Sequence, residues 1–545
     1  MIILKQISSL ENIMPKIEQN FTEITSLSVL KGESVSYQLA YKTDLCSEYK
    51  IKIDSDIKEH LMVYAIGNVP VERTVHTPEA LNDDNYISHD GGLYPDILYP
   101  FEGDILKAKY FYKGLWIETD ENLPIGKHKI EITVSDDKES DYKALELEVI
   151  NKELPPQDLK YHQSVHADCI AQYYNMEVFS EKHWQMLEKF IRLSADYGSN
   201  MICPPIFTPP LDTEIGGERL TVQLIDITKD GDKYSFSFDK FKRYIDICHN
   251  AGIKYFYIPP FFTQWGAKYC AKFVVKENGE YKKMFGWNVE STDKTYFDFL
   301  SQLLPELIDF IRACGIADFT MFSISDEPFD DETIGIYKKL SEFLSEYIKD
   351  FKILDAFSKY EHFEKSGADI PIIPTTEMED FEQKIGDRES FVYYCCVQDF
   401  KVSNRLIAMP LYRNRSFGYQ LYKYQATGFL HWAFNFYNSG LSKRSINPFM
   451  VTDADAWFPS GDTFIAYPGE EAPLKSMRLV TFKEALQDLR ALKACEEYIG
   501  YENVVKMLED ITGEITYKNC AENAQTIIKI REKIRDVLKQ NILTK

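Results

Sequence analysis

FTMFSISDEP, residues 319–328, is a short run of mainly apolar residues that ends on two acidic side chains. Runs of this length are typical of strands that are buried on both faces of a parallel sheet. The next stretch, DDETIGIYKKLSEFLSEYIKD (330–350), has the apolar spacing of an amphipathic helix. A buried strand followed directly by a helix predicts the repeating unit of an α/β fold.

The same alternation of strand-like and helical stretches begins near residue 160 and continues into the C-terminal third of the chain. Eight strands with helices between them predict a (β/α)8 TIM barrel. A doubly wound open sheet would alternate in the same way, but it usually carries a Gly-rich turn after its first strand, and SVHADCIAQYY has none. The predicted strands are SVHADC (164–169), NMICPPIF (200–207), KYFYIPPFF (254–262), FTMFSISDEP (319–328), KILDAFS (352–358), IPIIPTT (370–376), FVYYCCV (391–397) and GFLHWAFNF (428–436).

The rest of the chain predicts two further parts. Residues 1–152 are rich in short alternating runs separated by turn residues, which favours an antiparallel β-sandwich. The two prolines of NKELPPQD then mark a linker. We expect the catalytic barrel at 157–500 and a C-terminal helical extension at 501–545. Within the barrel, LIDITKDGDKYSFSF (224–238) predicts a β-hairpin, because an Asp-Gly turn joins two alternating runs.

Composition excludes several classes of partner. The 545 residues carry a formal net charge of -23, which repels nucleic acid backbones and anionic lipids. No secretory signal and no apolar stretch of membrane-spanning length are evident. Ten cysteines without a CxxC pair indicate free thiols. We therefore expect a soluble cytoplasmic protein that binds neither nucleic acid nor membranes. We expect no cofactor, and the oligomeric state stays open.

Asp326 and Glu327 are the strongest catalytic candidates, because catalytic groups of barrel enzymes stand at the C-terminal ends of the strands. Two adjacent carboxylates repel each other, so burying them together raises the pKa of one, as a general acid requires. The alternative is that both acids only cap the next helix. Neighbours in one loop do not easily straddle a sugar, which suits catalysis assisted by a 2-acetamido group of the substrate better than a protein nucleophile.

Aromatic residues after the predicted strands are candidates for substrate binding, because the C–H face of a sugar packs well on an aromatic ring. Trp265 follows the third strand, Tyr393 and Tyr394 lie on the seventh, and Trp432 lies on the eighth, with Asn435 nearby as a reader of hydroxyl groups. The alternative is that Trp432 and one of the two tyrosines simply pack in the barrel.

The first predicted strand carries His166, Asp168 and Cys169, which could be imagined as metal ligands. No HExxH motif or zinc-type spacing is present, so we expect no metal and include His166 among the substrate-binding candidates. Cys395 and Cys396 lack an obvious histidine partner, and no GxSxG motif occurs, so a nucleophilic thiol or serine is not expected.

Five segments resemble glycoside hydrolase family 123, the β-N-acetylgalactosaminidases, and the broader family around them. The segments are TPPLDTEIGGERLTVQLI (208–225), SISDEP (323–328), FVYYCCVQ (391–398), NRSFGYQLYKYQATGFLHWAFNFYN (414–438) and GDTFIAYPGEEAPLKSMR (461–478). The resemblance implies a sandwich followed by a barrel, and retaining hydrolysis with participation of the acetamido group. It implies that Asp326 orients that group and that Glu327 is the general acid/base, with Tyr394 and Trp432 at aromatic positions of the site.

The chain departs from the family pattern at two places. Gly418-Tyr419 stands where Gly-Trp is common, and Arg478-Leu479-Val480 stands where Arg-Leu-Glu is common.

The candidate residues and the resemblance together lead to three hypotheses about function. The first is an exo-acting retaining enzyme that releases terminal β-linked N-acetylgalactosamine, the second is a related barrel glycosidase for another β-linked sugar, and the third is a catalytically silent carbohydrate-binding protein.

Overall fold

The computed structural model describes residues 2–44 and 46–542. The chain begins with two five-stranded sheets that enclose one apolar core, which confirms the predicted sandwich. Its strands are antiparallel except for the pair Ser26–Lys31 and Ser140–Glu153, which is parallel. The sandwich strands are Ile2–Ser8, Ser26–Lys31, Ser36–Thr43, Ser47–Ser55, Leu61–Val71, Gly92–Pro100, Ile105–Ala108, Lys113–Thr119, Gly126–Ser135 and Ser140–Glu153.

A closed barrel of eight parallel strands follows, as predicted. We number its strands 1 to 8 along the chain. They are Lys160–Gln163, Met201–Ile202, Tyr255–Ile258, Thr320–Phe322, Lys352–Ala356, Ile370–Pro374, Phe391–Tyr393 and Gly428–His431. Strands 2 to 8 lie inside the predicted segments but end earlier, so the C-terminal residues of those segments form the loops at the mouth of the barrel.

The prediction for strand 1 is wrong. The strand lies at Lys160–Gln163, and the second half of the segment predicted as strand, residues 167–169, belongs to a helix, Ala167–Tyr173. His166 precedes the first turn of this helix, and Asp168 lies in that turn, where a carboxylate is favoured by the helix dipole. The polar and apolar alternation of SVHADC therefore came from the approach to a helix and not from a strand.

Helices surround the barrel and form the C-terminal region. In the part of the chain that the structure describes, no helix is long and apolar enough to cross a membrane. The α-helices of this part are α1 Ala167–Tyr173, α2 Glu181–Asp196, α3 Asp239–Ala251, α4 Lys294–Ala313, α5 Asp331–Ile348, α6 Tyr360–Ser366, α7 Met378–Ile385, α8 Leu411–Lys423, α9 Met477–Ile499, α10 Tyr501–Thr512 and α11 Ala524–Ile542.

The predicted hairpin is confirmed as Asp226–Asp230 and Lys233–Ser237. Gly231 in its turn has φ 58°, a conformation that glycine adopts without strain. The hairpin joins a second one, Phe273–Glu277 and Glu280–Phe285, in a four-stranded sheet beside the barrel. A two-stranded ribbon, Ala466–Tyr467 and Leu474–Lys475, precedes α9.

The alternation of side chains along each barrel strand decides which residues can reach the site. Met201, Tyr257, Ile372 and Phe391, from four different strands, form a small cluster inside the barrel. Residues between them in sequence, such as Ile373, belong instead to the large core between the strands and the helices. Because successive side chains of a strand point to opposite faces, one residue of each adjacent pair faces the barrel interior.

Buried ion pairs join the sandwich to the barrel. Arg478 of α9 binds Asp96 with two bonds of 2.8 Å, and Arg413 of α8 binds Asp83 at 2.9 Å. All four side chains are almost fully buried. Removing one partner of a buried pair typically costs about 3–5 kcal/mol, because the other charge then stays buried without compensation. The sandwich therefore braces the barrel.

Candidate active site

The acid pair lies in the loop that leaves barrel strand 4. Asp326 and Glu327 are both half-buried. Glu327 has φ 43°, in the left-handed region that residues other than glycine rarely adopt. Such strain costs on the order of 1–3 kcal/mol and persists only where the surrounding structure holds it. The turn thus places the two carboxyl groups at the mouth of the barrel in an unusual and fixed conformation.

Tyr393 reaches the pair from barrel strand 7. Its hydroxyl group donates a hydrogen bond to Oε1 of Glu327. Tyr393 packs against the cluster inside the barrel, so its side chain faces the interior. Burial and the carboxylate of Glu327 hold the pKa of Tyr393 well above its usual value. The hydroxyl group therefore keeps its proton and acts as a donor.

Tyr394, which the sequence analysis also predicted to contact substrate, points in the opposite direction from Tyr393. Its side chain is fully buried and belongs to the core outside the barrel. Its ring packs edge-on against Phe417 at 5.1 Å and at a tilt against Phe429 at 5.0 Å. A substrate at the mouth of the barrel has no access to this side chain.

The electrostatic surroundings of Asp326 favour its protonated form. Burial, the neighbouring charge of Glu327 and the charge of Asp355 hold the pKa of Asp326 well above its usual value. No side chain or backbone group of residues 2–44 and 46–542 donates a hydrogen bond to its carboxyl group. The pair can therefore keep one proton at a pH at which an ordinary aspartate is ionised.

Asp355, at the end of barrel strand 5, is a third carboxyl group that the sequence analysis missed. It accepts hydrogen bonds from the Ser323 hydroxyl, from Ile324 N at 2.8 Å and from the Tyr337 hydroxyl at 2.6 Å. Burial raises the pKa of Asp355 to about 7. Its sequence signal was a single acidic residue inside the apolar run KILDAFS. Asp355 thus fixes the end of strand 4 just before the acid pair.

Trp432 lies directly after barrel strand 8, on the other side of the barrel from strand 4. Its indole N–H donates a hydrogen bond of 3.1 Å to Asp462 Oδ2. Its ring packs against Phe436 and Phe458 with centroids 5.0 and 5.4 Å apart. The ring is half-buried and held on several sides, so its orientation is fixed before any ligand binds.

His166 and Asn435 support Trp432. Nε2 of His166 donates to the Trp432 carbonyl at 3.0 Å, while Nδ1 accepts from Arg219 at 3.1 Å. Burial, followed by the charge of Arg219, lowers the pKa of His166 to about 4, so the ring is neutral. The side chain of Asn435 is fully buried and binds the backbone of His166 through both its oxygen and its nitrogen. Asn435 thus holds the backbone of His166, and its contact with substrate stays a prediction.

Asp168 does not form a metal site with its neighbours. It binds Arg219 with two hydrogen bonds of 2.8 Å, and both side chains are buried. Among the residues with described positions, no group of three or more His, Cys, Asp or Glu side chains is arranged to hold a metal ion.

Trp265, the remaining candidate, donates its backbone N–H to the Asp326 carbonyl at 3.0 Å and exposes 48% of its surface.

Comparison with known proteins places the chain in a family. Residues 165–495 match the model of the glycoside hydrolase 123 catalytic domain, which is more than half of the chain. The chain belongs to glycoside hydrolase family 123. This match covers Asp168, the acid pair, Tyr393 and Trp432. The predicted family is therefore confirmed, and the protein is a glycoside hydrolase by family.

Among solved structures, this family 123 protein is similar to a family 123 glycoside hydrolase from Clostridium perfringens. The TM-score is 0.75 and the identity 15%, with 100% of both chains covered, which shows a common fold. A β-glucuronidase from Parabacteroides merdae matches with a TM-score of 0.32 and 10% identity, over 90% of this chain and 53% of that one. That similarity is too low to indicate a common overall fold. Among curated proteins, none matches this chain in sequence.

The raised pKa of Asp355 predicts how the stability of the protein changes with pH. Because the pKa is about 7 in the folded chain and about 3.9 for an unperturbed aspartate, the contribution of Asp355 to stability is lost as the pH rises from about 4 through 7. We expect Asp355→Asn to remove this pH-dependent loss, by up to about 1.4 kcal/mol per pH unit for one proton. Urea denaturation of wild type and variant between pH 5 and pH 8 measures the difference. Asp246→Asn, at an exposed ion pair, is the control, and parallel pH curves for wild type and Asp355→Asn would contradict the assignment.

Proposed function

We propose that this family 123 protein is an exo-acting retaining hydrolase that releases terminal β-linked N-acetylgalactosamine, with the 2-acetamido group of the substrate as the nucleophile. The observation that carries the proposal is that both acids, Asp326 and Glu327, come from one strained turn after strand 4. Retaining enzymes with a protein nucleophile place two carboxyl groups on opposite sides of the scissile bond, about 5–5.5 Å apart. Two neighbours in one turn suit substrate assistance better.

The charge of the pair supports different roles for its two members. In the free protein, burial and nearby charge favour a proton on Asp326. An acetamido N–H that donates to Asp326 would stabilise the ionised form of that carboxyl group. Asp326 would thus orient the acetamido group, and Glu327 beside it would act as the general acid.

The proposed reaction has two steps. The acetamido oxygen attacks the anomeric carbon while Glu327 protonates the departing oxygen, which gives an oxazolinium-like intermediate and the free aglycone. Glu327, now ionised, then takes a proton from a water molecule that attacks the anomeric carbon, which reopens the ring and releases the sugar with its configuration retained. With substrate bound, Tyr393 would turn its one hydroxyl proton from Glu327 to the acetamido oxygen, and Trp432 would lie under the sugar ring.

The proposed substrate is an oligosaccharide or glycoconjugate with a terminal β-linked N-acetylgalactosamine. The structure of the Clostridium perfringens enzyme was studied for glycolipid glycan hydrolysis, which supports glycans of this type as substrates. Action on another β-linked sugar is the alternative within the same reaction class. A silent binding protein is disfavoured by the intact acid pair and its held tyrosine.

A panel of p-nitrophenyl β-glycosides tests the choice of sugar. We expect release of nitrophenol from the N-acetylgalactosaminide, and competitive inhibition by N-acetylgalactosamine thiazoline, which mimics the cyclic intermediate. Activity that is confined to sugars without a 2-acetamido group would exclude the substrate-assisted scheme. No turnover of any glycoside, together with calorimetric binding of a sugar, would instead indicate a binding protein.

Substitution of the two acids tests their separate roles. Glu327→Gln should lower kcat about 100- to 10,000-fold on glycosides with poor leaving groups, and much less on dinitrophenyl glycosides, which need little protonation. Asp326→Asn should be impaired whatever the leaving group, because it no longer polarises the acetamido group. Glu342→Gln, which changes an exposed acid further along α5, is the matched control. Near-wild-type rates for both site variants would refute the assignment.

The adjacent tyrosines provide a second test with an internal control. Tyr393→Phe removes the donor to Glu327 and should lower kcat/KM about 10- to 100-fold, the effect of a lost hydrogen bond to a charged group in a buried site. Tyr394→Phe removes a hydroxyl that has no partner among the described residues and should stay within about twofold of wild type. Steady-state kinetics on the N-acetylgalactosaminide measures both, and the reverse order of effects would show that Tyr394 is the residue of the site.

A further inference from the structure

The loop after barrel strand 3 exposes a tryptophan on a strained backbone. Trp265, Gly266 and Ala267 have φ 57°, 111° and 55°, so three consecutive residues lie in the left-handed region. For the two residues other than glycine this conformation is unfavourable, and it persists only where neighbouring groups impose it. Trp265 nevertheless leaves 48% of its surface exposed. The strain is therefore not explained by packing of the indole ring in a core.

Neighbouring groups hold this loop against the acid pair. The backbone N–H of Trp265 donates to the Asp326 carbonyl at 3.0 Å. The preceding side chain, Gln264, is buried and donates to the Thr213 carbonyl at 3.0 Å. Gly266 packs so closely on α5 that a Cβ atom there would lie 2.5 Å from Cγ2 of Thr333. The exposed indole is thus attached to a fixed part of the mouth of the barrel.

A second exposed aromatic residue depends on the same threonine. Phe329 comes two residues after Glu327 and exposes 59% of its surface. Its backbone N–H donates to Oγ1 of Thr333 at 3.0 Å. Thr333 also forms the capping box of α5 with Asp330. The start of α5 therefore contacts both the loop of Trp265 and the backbone of Phe329, and it fixes the position of one relative to the other.

The order of the strands places these residues on the side of the proposed acid. Strand 3 is adjacent to strand 4 in the barrel, whereas Trp432 follows strand 8 on the far side. A sugar that lies on Trp432 with its anomeric carbon towards Glu327 directs its leaving group to the loops after strands 3 and 4. Trp265 and Phe329 are large apolar side chains exposed in those two loops. Tyr281 is also exposed after strand 3, but it belongs to the hairpin strand Glu280–Phe285 in the sheet beside the barrel.

We propose that Trp265 and Phe329 form a binding platform for the first sugar unit of the leaving group. This inference rests on the proposed function and adds the part of the substrate beyond the terminal sugar. A rigid, flat indole ring matches the C–H face of a pyranose. The exposed acids Asp330, Asp331 and Glu332 follow Phe329 in sequence, and Lys365 pairs with Asp331. The remaining negative charge favours a neutral sugar on the platform over a sulfated or uronic one. The expected substrates are β-linked N-acetylgalactosamine glycans with a neutral penultimate sugar.

The test compares two substrates that differ only beyond the scissile bond. These are a disaccharide of β-linked N-acetylgalactosamine on galactose, and methyl β-N-acetylgalactosaminide. For Trp265→Ala, we expect the ratio of kcat/KM on the disaccharide to that on the methyl glycoside to fall about tenfold, equivalent to the loss of one stacked ring. Phe329→Ala should lower the same ratio less, and Trp265→Phe should restore part of it. Tyr142→Ala, which truncates another exposed aromatic residue, in the sandwich, is the control.

Each outcome decides the proposal. An unchanged ratio for Trp265→Ala would overturn it. An equal loss on both substrates, with weaker binding of N-acetylgalactosamine thiazoline, would also overturn it, because the loop would then serve only to position Asp326. If wild type cleaves neither substrate, the proposed function fails. In that case calorimetry tests the binding platform independently of activity. The platform is supported if Trp265→Ala weakens binding of the disaccharide more than binding of free N-acetylgalactosamine, and it is overturned if Trp265→Ala does not.

Discussion

The site depends on one buried carboxyl group, Asp355, whose hydrogen bonds hold the chain on both sides of the acid pair. Its partners Ser323 and Ile324 lie just before the pair, and Tyr337 lies in α5 just after it. The strained turn between these contacts is therefore fixed at both ends. A buried carboxyl group is costly unless hydrogen bonds satisfy it, and here three donors do so. These hydrogen bonds make the mouth of the barrel rigid. Tyr393 and Trp265 therefore form their hydrogen bonds to Glu327 and Asp326 with the acid pair in a fixed position.

The sequence was sufficient to predict the sandwich, the barrel and the loop that carries the acid pair, because these depend on local periodicity and on the position of strand ends. It was not sufficient to find Asp355, whose partners Tyr337 and Ser323 lie 18 and 32 residues away. A single acid in an apolar run carries no sign of such partners. Strand alternation could have separated Tyr393 from Tyr394, since residues 391 and 393 share one face and 392 and 394 share the other. The burial of Asn435 depends on tertiary packing and had no such signal.

The two departures from the family pattern lie away from the mouth of the barrel. Tyr419 and Val480 are buried in helices α8 and α9. At Gly418 a Cβ atom would lie 2.3 Å from the carbonyl oxygen of Ala485, so these two helices touch backbone to backbone. Tyrosine and valine at the two positions adjust helix packing there. Neither residue contacts the acid pair.

The ion pairs between sandwich and barrel have a consequence for how such chains can diverge. Arg413 and Arg478 belong to the barrel side, but the carboxylates that neutralise them, Asp83 and Asp96, come from the N-terminal part. A barrel separated from its sandwich would lose the counterions of both guanidinium groups and the apolar side chains of the sandwich that share its core. The two parts are therefore not interchangeable modules. They must be inherited together, and a sandwich exchanged between relatives has to bring its own matching acids.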